Sequence, residues 1–175
     1  MKAPSTATSA PRSESPSSEL SRVYVEGIVA GVIGAATVAI WFFILDSFNG
    51  QPFRTPNILG AALFRADVGS DGLQTFPVSV EMVLVYTWVH GLAFCAFGGV
   101  AAKLFHIAEQ NVNLGFGIVL LFVIFEFGFI GAAFIFAEPI LHALAWPAVL
   151  FGNLLAAAAM GAYFLHRHPT LSIRP

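Results

Sequence analysis

Four long apolar runs, separated by shorter polar stretches, dominate the chain. The first, residues 23–48, reads VYVEGIVAGVIGAATVAIWFFILDSF, and the second, residues 80–105, reads VEMVLVYTWVHGLAFCAFGGVAAKLF. The third, residues 114–136, is LGFGIVLLFVIFEFGFIGAAFIF, and the fourth, residues 140–165, is ILHALAWPAVLFGNLLAAAAMGAYFL. At about 1.5 Å per residue each can cross a hydrocarbon layer of roughly 30 Å. Lipid offers no partner to a bare peptide group, so a single spanning segment must be helical. The predicted fold is therefore all-α: a transmembrane four-helix bundle occupying residues 21–168.

The flanks read differently. Residues 1–20, MKAPSTATSAPRSESPSSEL, are rich in Ser, Pro, Ala and Thr and are expected to form a disordered tail. No apolar core follows a basic start there, so a secretory signal is not expected. Residues 169–175 form a short carboxyl tail. The one long connection, residues 49–79, contains RTPNILGAALFRAD, which predicts a short helix with Thr55 as N-cap and Pro56 at its first position. Ile58, Leu59, Ala62 and Leu63 give it an apolar face for the bundle end or the lipid boundary.

Composition narrows the class further. Of 175 residues, 57% are hydrophobic and 10% charged, and mean hydropathy is +0.79. That leaves too little polar surface to cover a soluble core. A net charge of −2 with a pI near 6.2 argues against a nucleic-acid partner. The single cysteine, Cys95, excludes an intramolecular disulfide and any site built on paired thiolates. Of the eight Lys and Arg residues, only Arg54 and Arg65 fall on the side opposite both tails. The positive-inside rule then places both termini in the cytoplasm.

Helices in lipid associate by close packing, which small residues permit. The first run carries Gly27, Gly31, Ala35 and Ala39 at four-residue spacing. The second has Gly91, Cys95, Gly98, Gly99 and Ala102, and the fourth has Ala156 to Ala159 and Gly161. These stripes predict tight helix contacts within the bundle, although a second copy or another protein satisfies the same pattern. Phe122, Phe125, Phe127, Phe129 and Phe134 surround the third run. They suit lipid or a seat in a larger assembly, with pigment contact as the less economical alternative.

The polar residues inside the runs carry the candidate chemistry. Glu126 stands near the middle of the third, His90 well inside the second, Asn153 near the middle of the fourth and Thr37 near the middle of the first. A charge at the bilayer centre costs about 2.5–3.5 kcal/mol on insertion scales, so Glu126 is expected to face inward and either pair, with His90 as the natural partner, or take up a proton. The layer reads either as a polar network that fixes helix register or as a proton-accepting or ion-binding site.

Two clusters lie at the faces. On the outer side Asp46, Glu81, Glu138 and His142 could form an acidic pocket for a divalent cation or a cationic solute. Only Glu138 and His142 are spaced one helical turn apart, and Pro139 interrupts that turn. Trp88 and Trp146 are candidate interface anchors. On the inner side His106 and His166 offer a bis-imidazole pair for haem, or simply match helix carboxyl ends. No nucleotide loop, zincin helix or Ser/His/Asp signature appears in the sequence.

Residues 27–169 resemble small four-span bacterial integral membrane proteins to which no activity is assigned. The most specific pieces are GQPFRTPNILGAALF in the loop and NLLAAAAMGAYFL in the last run. The resemblance implies a four-helix architecture and a bacterial inner membrane. The leading expectation is a non-enzymatic accessory or structural subunit of a larger membrane complex, respiratory or photosynthetic, or a homo-oligomer in contact with membrane lipid. The alternative is a small transporter, channel or proton-conducting protein using Glu126, His90 and Asn153. The sequence assigns no cofactor, haem and pigment being the candidates.

Overall fold

A computed structural model of the protein describes residues 16–65, 77–110 and 146–168. Within these, four helices follow in order: α1 (Pro16–Phe48), α2 (Arg54–Phe64), α3 (Val80–Gln110) and α4 (Trp146–Arg167). Three of them, α1, α3 and α4, are long and apolar enough to cross a membrane. The shortest, α4, has 22 residues, about 33 Å of helix. The chain is thus all-helical over its described part, with the character of an integral membrane protein. The third apolar run, with Glu126 and its phenylalanines, lies outside the described residues, as do Glu138 and His142. The observed helices reach further than the apolar runs: α1 starts back at Pro16, and α3 continues to Gln110.

α1 is the strut on which α3 and α4 both pack, while α3 and α4 stay apart along most of their length and meet through side chains near Phe105 and Phe164. Against α3 the contact is backbone to backbone. A Cβ added at Gly27 would stand 2.5 Å from the Gly99 Cα, and one added at Gly31 would stand 2.5 Å from the Cys95 Cα. A Cβ at Gly98 would strike the Gly27 carbonyl and approach the Gly31 nitrogen to 2.6 Å. No residue larger than glycine fits those places without separating the helices. The small-residue stripes of runs one and two therefore do meet each other. Gly91 of the second run's stripe and Gly161 of the fourth's have no neighbour within 4 Å of an added Cβ among the described residues.

Against α4 the contact is made by large side chains. The Trp41 Nε1–H donates to the Ala148 carbonyl at 2.9 Å, and its ring lies 4.7 Å from Phe151 between centroids. Gly152 makes that bond accessible. A helical side chain leans over the turn before its own Cα, so a Cβ at Gly152 would sit 2.8 Å from the Trp41 Cδ1. Toward the other end Ala30, Ala102, Met160 and Phe164 form the buried core, with Phe105 stacked on Phe164 at 4.6 Å.

These contacts fix direction. Gly27 meets Gly99 and Ala35 meets His90, so α1 and α3 are antiparallel. Gly34 meets Met160 and Trp41 meets Gly152, so α1 and α4 are antiparallel too. α3 and α4 consequently run in the same direction, and the start of α1 and the end of α4 share one end of the bundle.

At the opposite end α1 stops in a Schellman motif. Gly50, at φ 69°, donates its N–H to the Ser47 carbonyl at 3.0 Å, and Gln51 donates to the Asp46 carbonyl at 2.9 Å. Phe53, at φ 70°, then turns the chain into α2. The expected cap is corrected here. α2 begins at Arg54 with Phe53, not Thr55, at the N-cap position, and Phe53 makes no side-chain capping bond. The cap comes from the preceding helix instead. The Asp46 carboxylate accepts the Thr55 N–H at 2.7 Å and the Thr55 hydroxyl at 2.9 Å. The face that α2 buries is Thr55, Asn57, Ile58, Gly60 and Ala61, whereas Leu63 is exposed. It packs mainly on the start of α3, where Gly60 lies against the Met82 backbone.

Candidate functional site

Three groups of polar side chains are positioned by this frame. The first is at the α2 end. Asp46 is buried, and its two bonds to Thr55 satisfy one amino-terminal N–H of α2 while placing a negative charge at that helix's positive pole. Asn57, 1% exposed, accepts the Ser79 N–H at 2.8 Å and donates to the Pro77 carbonyl at 3.2 Å, tying α2 to the entry of α3. Glu81 is exposed on the first turn of α3. Of the expected outer acidic pocket, the structure thus gives Asp46 a capping role and leaves Glu81 facing outward. Among the described residues no three His, Cys, Asp or Glu side chains converge as a metal site would need. Trp88 and Trp146 are both largely exposed, as interface anchors are.

The second group is at the Glu26 end. Glu26 is 8% exposed; one carboxylate oxygen lies 3.1 Å from the His168 Nε2 and the other 3.5 Å from the Arg167 Nη2. A buried carboxylate needs such partners, and these join the first turns of α1 inside the membrane to the last turn of α4. The signal was present but faint: an acid one turn into the first run, and a basic HRH closing the last. His106 is half-buried in α3. His166 is exposed, two residues from Phe164 and so on the far side of α4 from the buried core.

The third group lies inside the bundle. The His90 Nε2 sits 3.3 Å from the Ala35 carbonyl. A carbonyl only accepts, so Nε2 is the protonated nitrogen and Nδ1 is left as an acceptor. The imidazole belongs to an aromatic ladder on α3, 5.6 Å from Tyr86 and 4.7 Å from Phe94 between centroids. The Thr37 hydroxyl donates to the Ile33 carbonyl of its own helix at 2.8 Å. The helix pairings put Thr37 within about 3 Å of the height of His90 and Asn153 about 7 Å nearer the α2 end, at the helical rise. The structure therefore brings His90 and Thr37 to one level, with Asn153 half-buried at another.

Beside this layer a cleft of about 340 Å³ opens between α1, α2 and α3. Its inner wall includes Val38, Thr55 and Tyr86, with His90 at its deepest level on α3; Ile40, Phe43 and Thr87 form an exposed rim. Almost all of this lining is apolar. The Tyr86 hydroxyl has no hydrogen-bond partner among the described residues. Neither the apolar periodicity nor any residue spacing marks this cleft, because α2 contributes to it across the chain's longest loop.

The chain matches no protein-family model, no curated protein and no solved structure.

Proposed function

We propose that the protein is a non-enzymatic accessory or structural subunit of a larger complex in a bacterial inner membrane, crossing it four times with both termini in the cytoplasm. The observation that carries this reading is the outward ridge of α3. Leu84, Trp88 and Leu92 follow at four-residue spacing and are 56%, 72% and 63% exposed. A row of large side chains at that spacing is the ridge one helix inserts into the groove of another. The polar groups near it, in contrast, hold this chain's own fold: His90 bonds Ala35, Trp41 bonds Ala148 and Asp46 bonds Thr55.

The fourth crossing is supported by helix direction. α3 finishes at the Glu26 end and α4 begins at the α2 end, so the two described helices that flank residues 111–145 end and begin at opposite ends of the bundle. The apolar run 114–136 has the length to cross between them. The sidedness is supported by the basic residues, which concentrate toward the end shared by α1's start and α4's finish.

The test is solubilisation of native membranes in mild detergent, followed by native electrophoresis with mass spectrometry of the band. A stoichiometric membrane partner is expected, and the L84A/W88A/L92A variant should lose it while keeping its own helicity. Migration of the natural chain as a solitary monomer is the outcome that removes the reading.

A proton-conducting or transport role through Glu126, His90, Asn153 and Thr37 is the competing reading. What favours it is the shared height of His90 and Thr37. Glu126→Gln in proteoliposomes decides it, since a pH-dependent flux must then disappear.

A further inference from the structure

The cleft between α1, α2 and α3 has features that a structural bundle does not need. Its volume, about 340 Å³, is in the range of small-molecule sites, which are apolar with a few placed polar groups. A cavity of about 150 Å³ already accommodates benzene, so a substituted ring and the first carbons of a tail fit here. Phe43 and Phe53, with ring centroids 5.2 Å apart, give the cleft an aromatic wall.

The polar groups are few and complementary. The Tyr86 hydroxyl, without a hydrogen-bond partner among the described residues, can donate. His90 lines the same cleft with Nε2 engaged by Ala35, which leaves Nδ1 an acceptor. Tyr86 and His90 stand one turn apart on α3 with their rings stacked at 5.6 Å, so a donor and, on the neutral imidazole, an acceptor are available to one ligand hydroxyl that accepts from tyrosine and donates to imidazole. The exposed rim at Ile40 and Phe43 gives an apolar tail a way out into lipid.

We propose that this cleft binds the head of a membrane-soluble phenolic lipid, its ring among the phenylalanines, its hydroxyl between Tyr86 and His90, and its tail leaving over Ile40 and Phe43. The site is independent of any protein partner, so its test stands apart from that of the subunit reading.

The full-length protein, purified in detergent, is exposed to 4-hexadecylphenol carrying a diazirine and an alkyne on its tail, and the labelled peptides are mapped. Saturable labelling on α1 or α3 around the cleft is expected. The corresponding methyl ether and a linear hexadecanol should label about tenfold more weakly, which separates a ring alcohol from an ordinary lipid alcohol. Ala39→Trp, which places an indole in the cleft from an exposed position, should abolish the labelling. Tyr86→Phe should weaken it about fivefold, as the loss of one hydrogen bond does, with circular dichroism unchanged in both variants. Equal labelling by the ether or the linear alcohol overturns the proposal, as does labelling that survives Ala39→Trp. Absence of label from α1 and α3 overturns it too, because another stretch of polypeptide then fills the cleft.

Discussion

The two seams that α1 makes are built on opposite principles. Toward α3, glycines at 27, 31 and 98 let two backbones touch, and no side chain intervenes. Toward α4, Trp41, Met160 and Phe164 fill the space, and a hydrogen bond and an ion pair mark its two ends. In lipid there is no water to expel, so association rests on packing and on a few polar links. The first seam rests chiefly on shape, with the His90–Ala35 contact as a polar link, and should tolerate no added atom at its glycines. The second distributes its stability over many contacts and should yield gradually.

Substitution can break that contrast, and the largest effect is expected in the glycine seam. Gly98→Leu drives a side chain into the Gly27 carbonyl and should cost about 3 kcal/mol or more, at the upper end of overpacking penalties, read as a lowered unfolding midpoint in detergent. Asp46→Ala comes next. It removes the cap from α2 and should cost about 0.5–2 kcal/mol, with faster proteolysis in the 49–79 loop as the local readout. Trp41→Phe keeps the ring packing but loses the bond to Ala148, for about 0.6 kcal/mol, the average for interhelical bonds in a membrane. Gly91→Ala is the control. It belongs to a small-residue stripe by sequence yet meets nothing within 4 Å among the described residues, so its stability should move by less than about 0.5 kcal/mol.

How far the sequence went follows from the same contrast. Three long helices and the small-residue stripes holding Gly27, Gly31, Cys95 and Gly98 were legible, because hydrophobic length and four-residue spacing are local patterns; that these two stripes meet each other was not. Gly91, in the same stripe as Cys95 and Gly98, meets no neighbour among the described residues. A repeat says which residues share a stripe, not where along it the neighbouring helix departs. Asp46 read as part of an acidic pocket and proved to be a cap for Thr55, nine residues on and around a corner set by Gly50 and Phe53. Glu26 was passed over, since its partners Arg167 and His168 stand at the far end of the chain. His90 meets the Ala35 carbonyl, which no pattern of side chains reveals; its expected partner Glu126 lies outside the described residues. The cleft was invisible because three helices separated in sequence enclose it.

The arrangement as a whole rests on α1 lying antiparallel to α3 and α4 across a membrane. Side-specific thiol labelling in sealed vesicles tests this most directly, with Cys95→Ala as background and single cysteines at Ser21, Gln51 and His166, all exposed positions. Ser21→Cys and His166→Cys should react with an impermeant maleimide from one side only, and Gln51→Cys only from the other. Reaction of Ser21→Cys and His166→Cys from opposite sides would contradict the account, as would reaction of all three from the same side.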